Sequence, residues 1–172
     1  MIPLSDKQDG DPECRVFGQR VPGVTYLHRP GSYVLFQNKE HFAIVKATGG
    51  FCLPGGGQEP GESPEQTAIR ECWEEIGLKV KLIRFLGHAQ QLAYGHPEQQ
   101  YFHKLCAFYL AELASAERGP GEADHQLHWM MASQALEHLV HESEKWILQQ
   151  HLHQSFSSEK PSADITLPAA PR

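Results

Sequence analysis

The stretch from Leu53 to Leu78 constrains the fold more than any other part of the chain. It reads Leu53-Pro54-Gly55-Gly56-Gly57, a polar segment through Glu62, an amphipathic run from Ser63 to Ile76, and then Gly77-Leu78. Ser63 and Gln66 have the spacing of a capping box, in which each side chain accepts from the other residue's backbone N–H. Pro64 takes the first helical position, where no N–H is needed, and Gly77 supplies the left-handed residue that ends a helix. The spacing therefore predicts one helix over Pro64 to Ile76. At about 100° per residue, Ala68, Ile69, Cys72, Trp73 and Ile76 fall on one side for packing, and Glu71, Glu74 and Glu75 fall together on the other.

Stability alone does not account for that acidic side. Like charges three and four residues apart cost roughly 0.2–0.5 kcal/mol per pair, and all three glutamates lie toward the helix end whose dipole is already negative. A bound cation reverses the sign of those terms. Carboxylate oxygens beside a glycine-rich loop with free carbonyls suit a hard ion, Mg²⁺ or Mn²⁺, which keeps several waters and shares its remaining positions with substrate phosphates. The ordinary alternative for an acidic run is a solvated surface.

The pattern resembles the signature of the Nudix (MutT-like) hydrolases. Gly56 opens it, five residues lead to Glu62, seven more lead to Arg70-Glu71, and Glu74-Glu75, Gly77 and Leu78 complete it. Cys72 stands where that signature has an aliphatic residue, and a buried free cysteine behaves as a small hydrophobe. The resemblance implies hydrolysis of a nucleoside diphosphate linked to another group, with water attacking one phosphorus while divalent ions neutralise the oxygens. It implies metal ligands at Glu71, Glu74, Glu75 and the Gly55 carbonyl, and an Arg70 that holds a glutamate in place. The planar fork of an arginine suits that task. Glu62 precedes the helix N-terminus, where a carboxylate favours the dipole for structural reasons as well. Glu71 or Glu74 is the expected general base, with Glu98 or Glu122 as substitutes.

A chain of 172 residues fits one domain with a full core. With 15 basic against 21 acidic residues and a net charge of −6, it has no electrostatic footprint for polymeric nucleic acid, and no basic helix points to a membrane surface. Cys14, Cys52, Cys72 and Cys106 are far apart and form no CxxC pair, which fits reduced thiols in a cytoplasmic protein. The opening Met1-Ile2-Pro3-Leu4 has neither the basic region nor the apolar run of a leader or anchor.

Residues 1–20 read as a flexible segment, 21–156 as the folded domain and 157–172 as a disordered tail rich in Ser, Pro and Ala. Within the domain, Val21 to His28 has strand character and Arg29-Pro30-Gly31 reads as a turn. Ser32 to Gln37 and Phe42 to Ala47 form a hairpin across Asn38-Lys39-Glu40, and Phe51-Cys52-Leu53 leads into the glycine-rich loop. Val80 to Gln91, a central Tyr101 to Leu113 and a short Leu127 to Met130 follow as strands, with loops at Tyr94 to Glu98 and Glu117 to Asp124. Ser133 caps a helix to about Leu139, and Glu142 to about Phe156 forms another. This mixture is α/β (α+β), and the resemblance implies an α/β/α sandwich around a mixed sheet.

Of the eleven histidines, His125-x-x-His128, His138-x-x-His141 and His151-x-His153 lack the companions of a zinc site and read as ordinary surface or core residues. His96 and His103 are better placed to meet phosphate. Tyr94 stands near where dinucleoside polyphosphate hydrolases of the family carry a tyrosine. Two functions of different class follow: a Mg²⁺-dependent pyrophosphohydrolase of a small nucleotide or dinucleoside polyphosphate, or a Nudix-fold module that binds nucleotides with little or no turnover. The intact Arg70-Glu71-x-x-Glu74-Glu75 favours the first.

Overall fold

The computed structural model describes residues 14–158 apart from Pro97. The elements in chain order are β1 (Arg15–Phe17), β2 (Tyr26–Asn38), β3 (His41–Ala47), β4 (Gly50–Cys52), β5 (Gly55–Gly57), α1 (Pro64–Ile76), β6 (Leu78–Gly95), β7 (Gln100–Arg118), β8 (Gln126–Met131), α2 (Ala132–His138) and α3 (Glu142–Ser158). Alternation along the two central strands decides the layers, because successive residues of a strand point to opposite faces. Tyr33 and Leu35 of β2 and Cys106 and Phe108 of β7 face Ala135, Leu139, Ile147 and Leu148 of the C-terminal helical region. Val34 and Phe36, with Ala107, Tyr109 and Ala111, face Ala68 and Cys72 of α1. The expected α/β/α sandwich follows.

The strands run β1-β6-β7-β2-β3-β4, with β5 paired to β2 and β8 paired to β3. The β1–β6 and β2–β7 ladders are parallel and the others antiparallel, so the sheet is mixed. Strand β7 is central, between β6 and β2. Among the described residues no helix is long and apolar enough to cross a membrane, and the four cysteines are free.

Several boundaries differ from the sequence reading. Arg29-Pro30-Gly31 is no turn: β2 runs through it, with Pro30 opposite Leu105 and Gly31 opposite both Cys106 and Gly57. A Cβ on Gly31 would lie 2.6 Å from the Gly56 carbonyl oxygen, so this glycine permits a close strand approach. The three glycines of the loop are themselves a strand, β5, in which a Cβ on Gly55 would likewise crowd the backbone of β2, 2.2 Å from the Ser32 carbonyl oxygen. Part of the segment expected to be loose holds β1, paired to Ala89–Gln91 of β6, whereas β2 begins only at Tyr26. Strand β6 starts directly after Gly77 and keeps Tyr94 and Gly95, β7 keeps Glu117 and Arg118, and α2 starts at Ala132 after Met131 rather than at a Ser133 cap. Residues 1–13 lie outside the described residues; of the tail expected over 157–172, Ser157 and Ser158 belong to α3 and the rest lies outside the described residues.

Helix α1 has the predicted bounds and both halves of the capping box, and Gly77 ends it at φ 64°. Its rotation about its own axis differs from expectation. Thr67, Ala68, Cys72 and Glu75 are buried, while Ile69 is 43% exposed. The fully buried arc is thus centred near Glu75, and Ile76 at its edge packs on the core while only partly buried. Ala and Cys offer little apolar area, so burial alone holds α1 weakly. Polar ties do the rest: Tyr109 donates to Glu65 at 3.0 Å and Gly119 N–H to the Gly77 carbonyl at 3.0 Å.

On the opposite face, Glu144 in the first turn of α3 is 1% exposed and accepts the Leu53 N–H at 2.9 Å. Burial pushes its carboxyl up to about 8 from an ordinary 4.5, against the pull of the Leu53 N–H and Lys104. Between those two pH values the unfolded chain has released a proton that the folded chain keeps, so this group makes stability fall as pH rises. Glu144→Gln should flatten that fall, as read from urea midpoints at pH 5 and pH 8. An unchanged difference between the two midpoints would refute the assignment.

Candidate active site

Arg70 is the organising side chain. Its Nε donates to Glu62 Oε1 at 2.6 Å, and its Nη2 donates to Glu62 Oε2 at 2.9 Å and to the Gly57 carbonyl at 3.0 Å. Its Nη1 donates to Glu71 Oε1 at 3.0 Å and to Glu74 Oε2 at 2.8 Å. One guanidinium therefore joins the glycine strand, the loop before α1 and two glutamates of the helix. Glu62 also accepts from Thr67 Oγ1 at 2.9 Å and from the Glu59 N–H at 3.0 Å. These donors, Arg70 foremost, bring its carboxyl down to about 2.

Glu75 is held separately. Its Oε2 accepts the Gly55 N–H at 3.0 Å, and its Oε1 lies 3.2 Å from His125 Nε2. The other ring nitrogen of His125 lies 2.9 Å from Glu122 and 3.1 Å from Asp124. The loop carrying these residues is fastened to α1 through backbone, since the Glu122 N–H donates to the Glu75 carbonyl at 3.1 Å. Burial raises the carboxyl of Glu71, with Glu74 and Glu122 adding to it against Arg70; burial likewise raises that of Glu75, against Gly55 and His125. Both groups sit where additional positive charge would be favourable.

The donor set suits a hard divalent cation. Three carboxylates on consecutive turns offer oxygens, and Gly56 leaves room for one of them, since a Cβ there would fall 2.6 Å from the Glu71 carboxylate. Glu122, Asp124 and His125 bring one donor atom each to within 4.8 Å of one another, a closeness that Glu71, Glu74 and Glu75 do not reach among themselves.

Of the residues singled out in the sequence, Gly55, Gly56, Glu62, Arg70, Glu71, Glu74 and Glu75 come together here, Glu122 joins them through His125, and Gly77 only ends the helix that carries them. Tyr94 and Glu98 do not touch this group. Tyr94 packs on Tyr101 and His96, with ring centroids 4.8 and 5.0 Å apart. Glu98 pairs with Arg29 at 3.3 Å, and Arg29 in turn lies beside Gly57. His103 meets Gln90 Oε1 at 2.6 Å. Sequence reasoning missed His125 and Arg29. Only the acidic setting Glu122-Ala123-Asp124-His125 marked the former, and a Pro-Gly pair that looked like a turn hid the latter.

The NUDIX domain family model matches residues 23–150. The chain belongs to the Nudix family. Among curated Nudix relatives, the NAD-capped RNA hydrolase NudC of Chromobacterium violaceum is 32% identical over 117 residues, covering 66% of this chain and 39% of that protein. Diphosphoinositol polyphosphate phosphohydrolase 3-alpha of Mus musculus is 54% identical over 39 residues, which is 23% of this chain and 24% of that one. The chain thus spans less than half the length of these curated relatives. A solved structure of a C. elegans Ap4A hydrolase binary complex shares the Nudix fold with TM-score 0.61 and 18% identity, covering 75% of this chain and 98% of the other.

Gly56→Ala tests the cradle. The added methyl meets the far end of a flexible Glu71 side chain rather than backbone, so the fold should survive while Glu71 is displaced. An unchanged melting temperature with metal affinity reduced about 10-fold or more is expected by calorimetric titration with Mn²⁺. Affinity equal to wild type would show that Glu71 does not need this space.

Proposed function

We propose that this chain is a divalent-metal-dependent hydrolase of phosphoanhydride bonds in small nucleotides, with Mg²⁺ or Mn²⁺ as cofactor. The observation that carries the reading is the convergence of Glu62, Glu71 and Glu74 on one arginine, with Glu75 arriving at Gly55 from the same helix. Glu71, Glu74, Glu75 and the Gly55 carbonyl would hold the metal, which when bound neutralises phosphate oxygens and lowers the pKa of a water. The chain's own residues orient and deprotonate. Arg70 fixes Glu71 and Glu74, and His125 braces Glu75 against Glu122. Glu71 or Glu74, or Glu98 or Glu122 from the loops, accepts the proton of the attacking water as its oxygen bonds to phosphorus and the bridging P–O bond breaks. Tyr94 at the end of β6, Glu98 in the turn that follows it and Glu122 in the loop before β8 contribute to substrate binding.

The substrates named for the relatives, NAD-capped RNA, a diphosphoinositol polyphosphate and Ap4A, have linked phosphates in common and little else. That supports a phosphoanhydride as the reacting group without choosing the remainder. The test is product release from ADP-ribose, nucleoside triphosphates, NAD and dinucleoside polyphosphates, with and without Mg²⁺. Turnover of one class that requires the ion is expected. Nucleotide binding with no turnover of any of them would overturn the reading in favour of a binding module.

A further inference from the structure

Three consecutive residues lead the chain into the site, and each is held by a different element. The Leu53 N–H donates to Glu144 Oε2 of α3 at 2.9 Å. Pro54 has no N–H, and its carbonyl accepts the Val34 N–H of β2 at 2.8 Å. The Gly55 N–H donates to Glu75 of α1 at 3.0 Å. Carboxylates from opposite layers of the sandwich thus grip the same stretch of backbone two residues apart.

Gly55 needs such holding. Its φ of 141° lies where side chains are rarely tolerated, and a Cβ on it would fall 2.2 Å from the Ser32 carbonyl oxygen. The peptide planes on either side of it are therefore set by their partners rather than by local preference. Glu144 is a rigid partner because its helical turn is itself fixed. The Ser143 N–H donates to Gln91 Oε1 at 3.1 Å, and Lys104 Nζ lies 3.2 Å from His141 Nε2. Leu53 and Glu144 are both almost wholly buried, so water cannot take over the Leu53 N–H if the carboxyl is removed.

We propose that Glu144, from the layer opposite the catalytic helix, is a positioning residue that sets the orientation of the Gly55 carbonyl for the metal through its hydrogen bond to the Leu53 N–H. The inference rests on the metal reading above and extends it to a residue outside the family signature. What the position requires is an acceptor at the right reach. Gln has the same length and shape and keeps an acceptor oxygen, Met has similar length and none, and Asp withdraws the acceptor by one methylene.

The experiment is a Mn²⁺ titration of the full chain, followed by the electron paramagnetic resonance signal of free Mn²⁺, with circular dichroism of each variant. Glu144→Met should keep a native spectrum and bind Mn²⁺ about 10- to 100-fold more weakly, the range for a group that orients a metal ligand. Glu144→Gln should stay within about twofold of wild type on the same scale. The Mg²⁺ concentration for half-maximal turnover should move with the Mn²⁺ constants, while the substrate KM at saturating metal stays put. Should Glu144→Met fail to give a native spectrum, Glu144→Asp carries the same comparison with an intermediate loss. Wild-type affinity in a folded Met or Asp variant, or equal losses in Met and Gln, overturns the role of Glu144 alone. A wild-type chain that binds no Mn²⁺ overturns the metal reading as well.

Discussion

Glu74→Gln should abolish metal-dependent turnover and leave the fold standing. The side chain is half exposed, and among the described residues its carboxylate has one charged partner, Arg70 at 2.8 Å. An amide of the same shape costs the structure little there, because it also removes repulsion from Glu71. The same change takes a full negative charge from the proposed metal seat, or the base itself. Losing one such stabilising group in an active site costs about 10²-fold or more in kcat. The pairing to measure is kcat at saturating Mg²⁺ together with the melting temperature. Turnover within a factor of about three of wild type would remove Glu74 from the chemistry, since even one lost transition-state hydrogen bond exceeds that.

Arg70→Ala should act on both fold and chemistry. The guanidinium supplies five hydrogen bonds to four residues, and α1 has little buried apolar area with which to compensate. Without it, Glu62, Glu71 and Glu74 face one another with no counter-charge, and the Gly57 carbonyl loses its donor. A lower melting temperature and a kcat/KM reduced about 10- to 100-fold are expected, as for other residues that orient metal ligands. Mg²⁺ should raise the melting temperature of the variant more than that of the wild type, because the ion replaces part of the missing positive charge. Arg70→Lys should rescue little, since a single ammonium cannot span Glu62 on one side and Glu74 on the other. Equal Mg²⁺ responses in wild type and Arg70→Ala would show that the arginine and the ion do not share these carboxylates.

How much was legible in the sequence follows from how local each signal is. Helix α1 could be bounded to the residue because Ser63, Pro64, Gln66 and Gly77 act on their own neighbours. The grouping of Glu71, Glu74 and Glu75 with Arg70 followed from helical geometry and from the spacing of the family signature. The rotation of that helix did not, because it depends on where Glu75 finds Gly55, which is a tertiary contact. Pro30 and Gly31 read as a turn by composition, and what makes them strand is the presence of β5 and β7 alongside. His125 carries only its acidic neighbours as a mark and Glu144 carries none: one acid of the pair Glu142 and Glu144 is buried and the other is not, and only the position of Leu53 decides between them.

The short stretch from Gly119 to Glu122 has a bearing on how chains of this kind tolerate changes in loop length. Its amides are threaded onto the carbonyls of Gly77 and Glu75. One residue inserted there would slip those pairings and unseat Glu75 without altering any signature residue. At Lys39-Glu40, the tip of the hairpin joining β2 to β3, the tie is local, from the Gln37 side-chain amide to the Lys39 carbonyl at 2.8 Å, so the same insertion there would leave α1 in place.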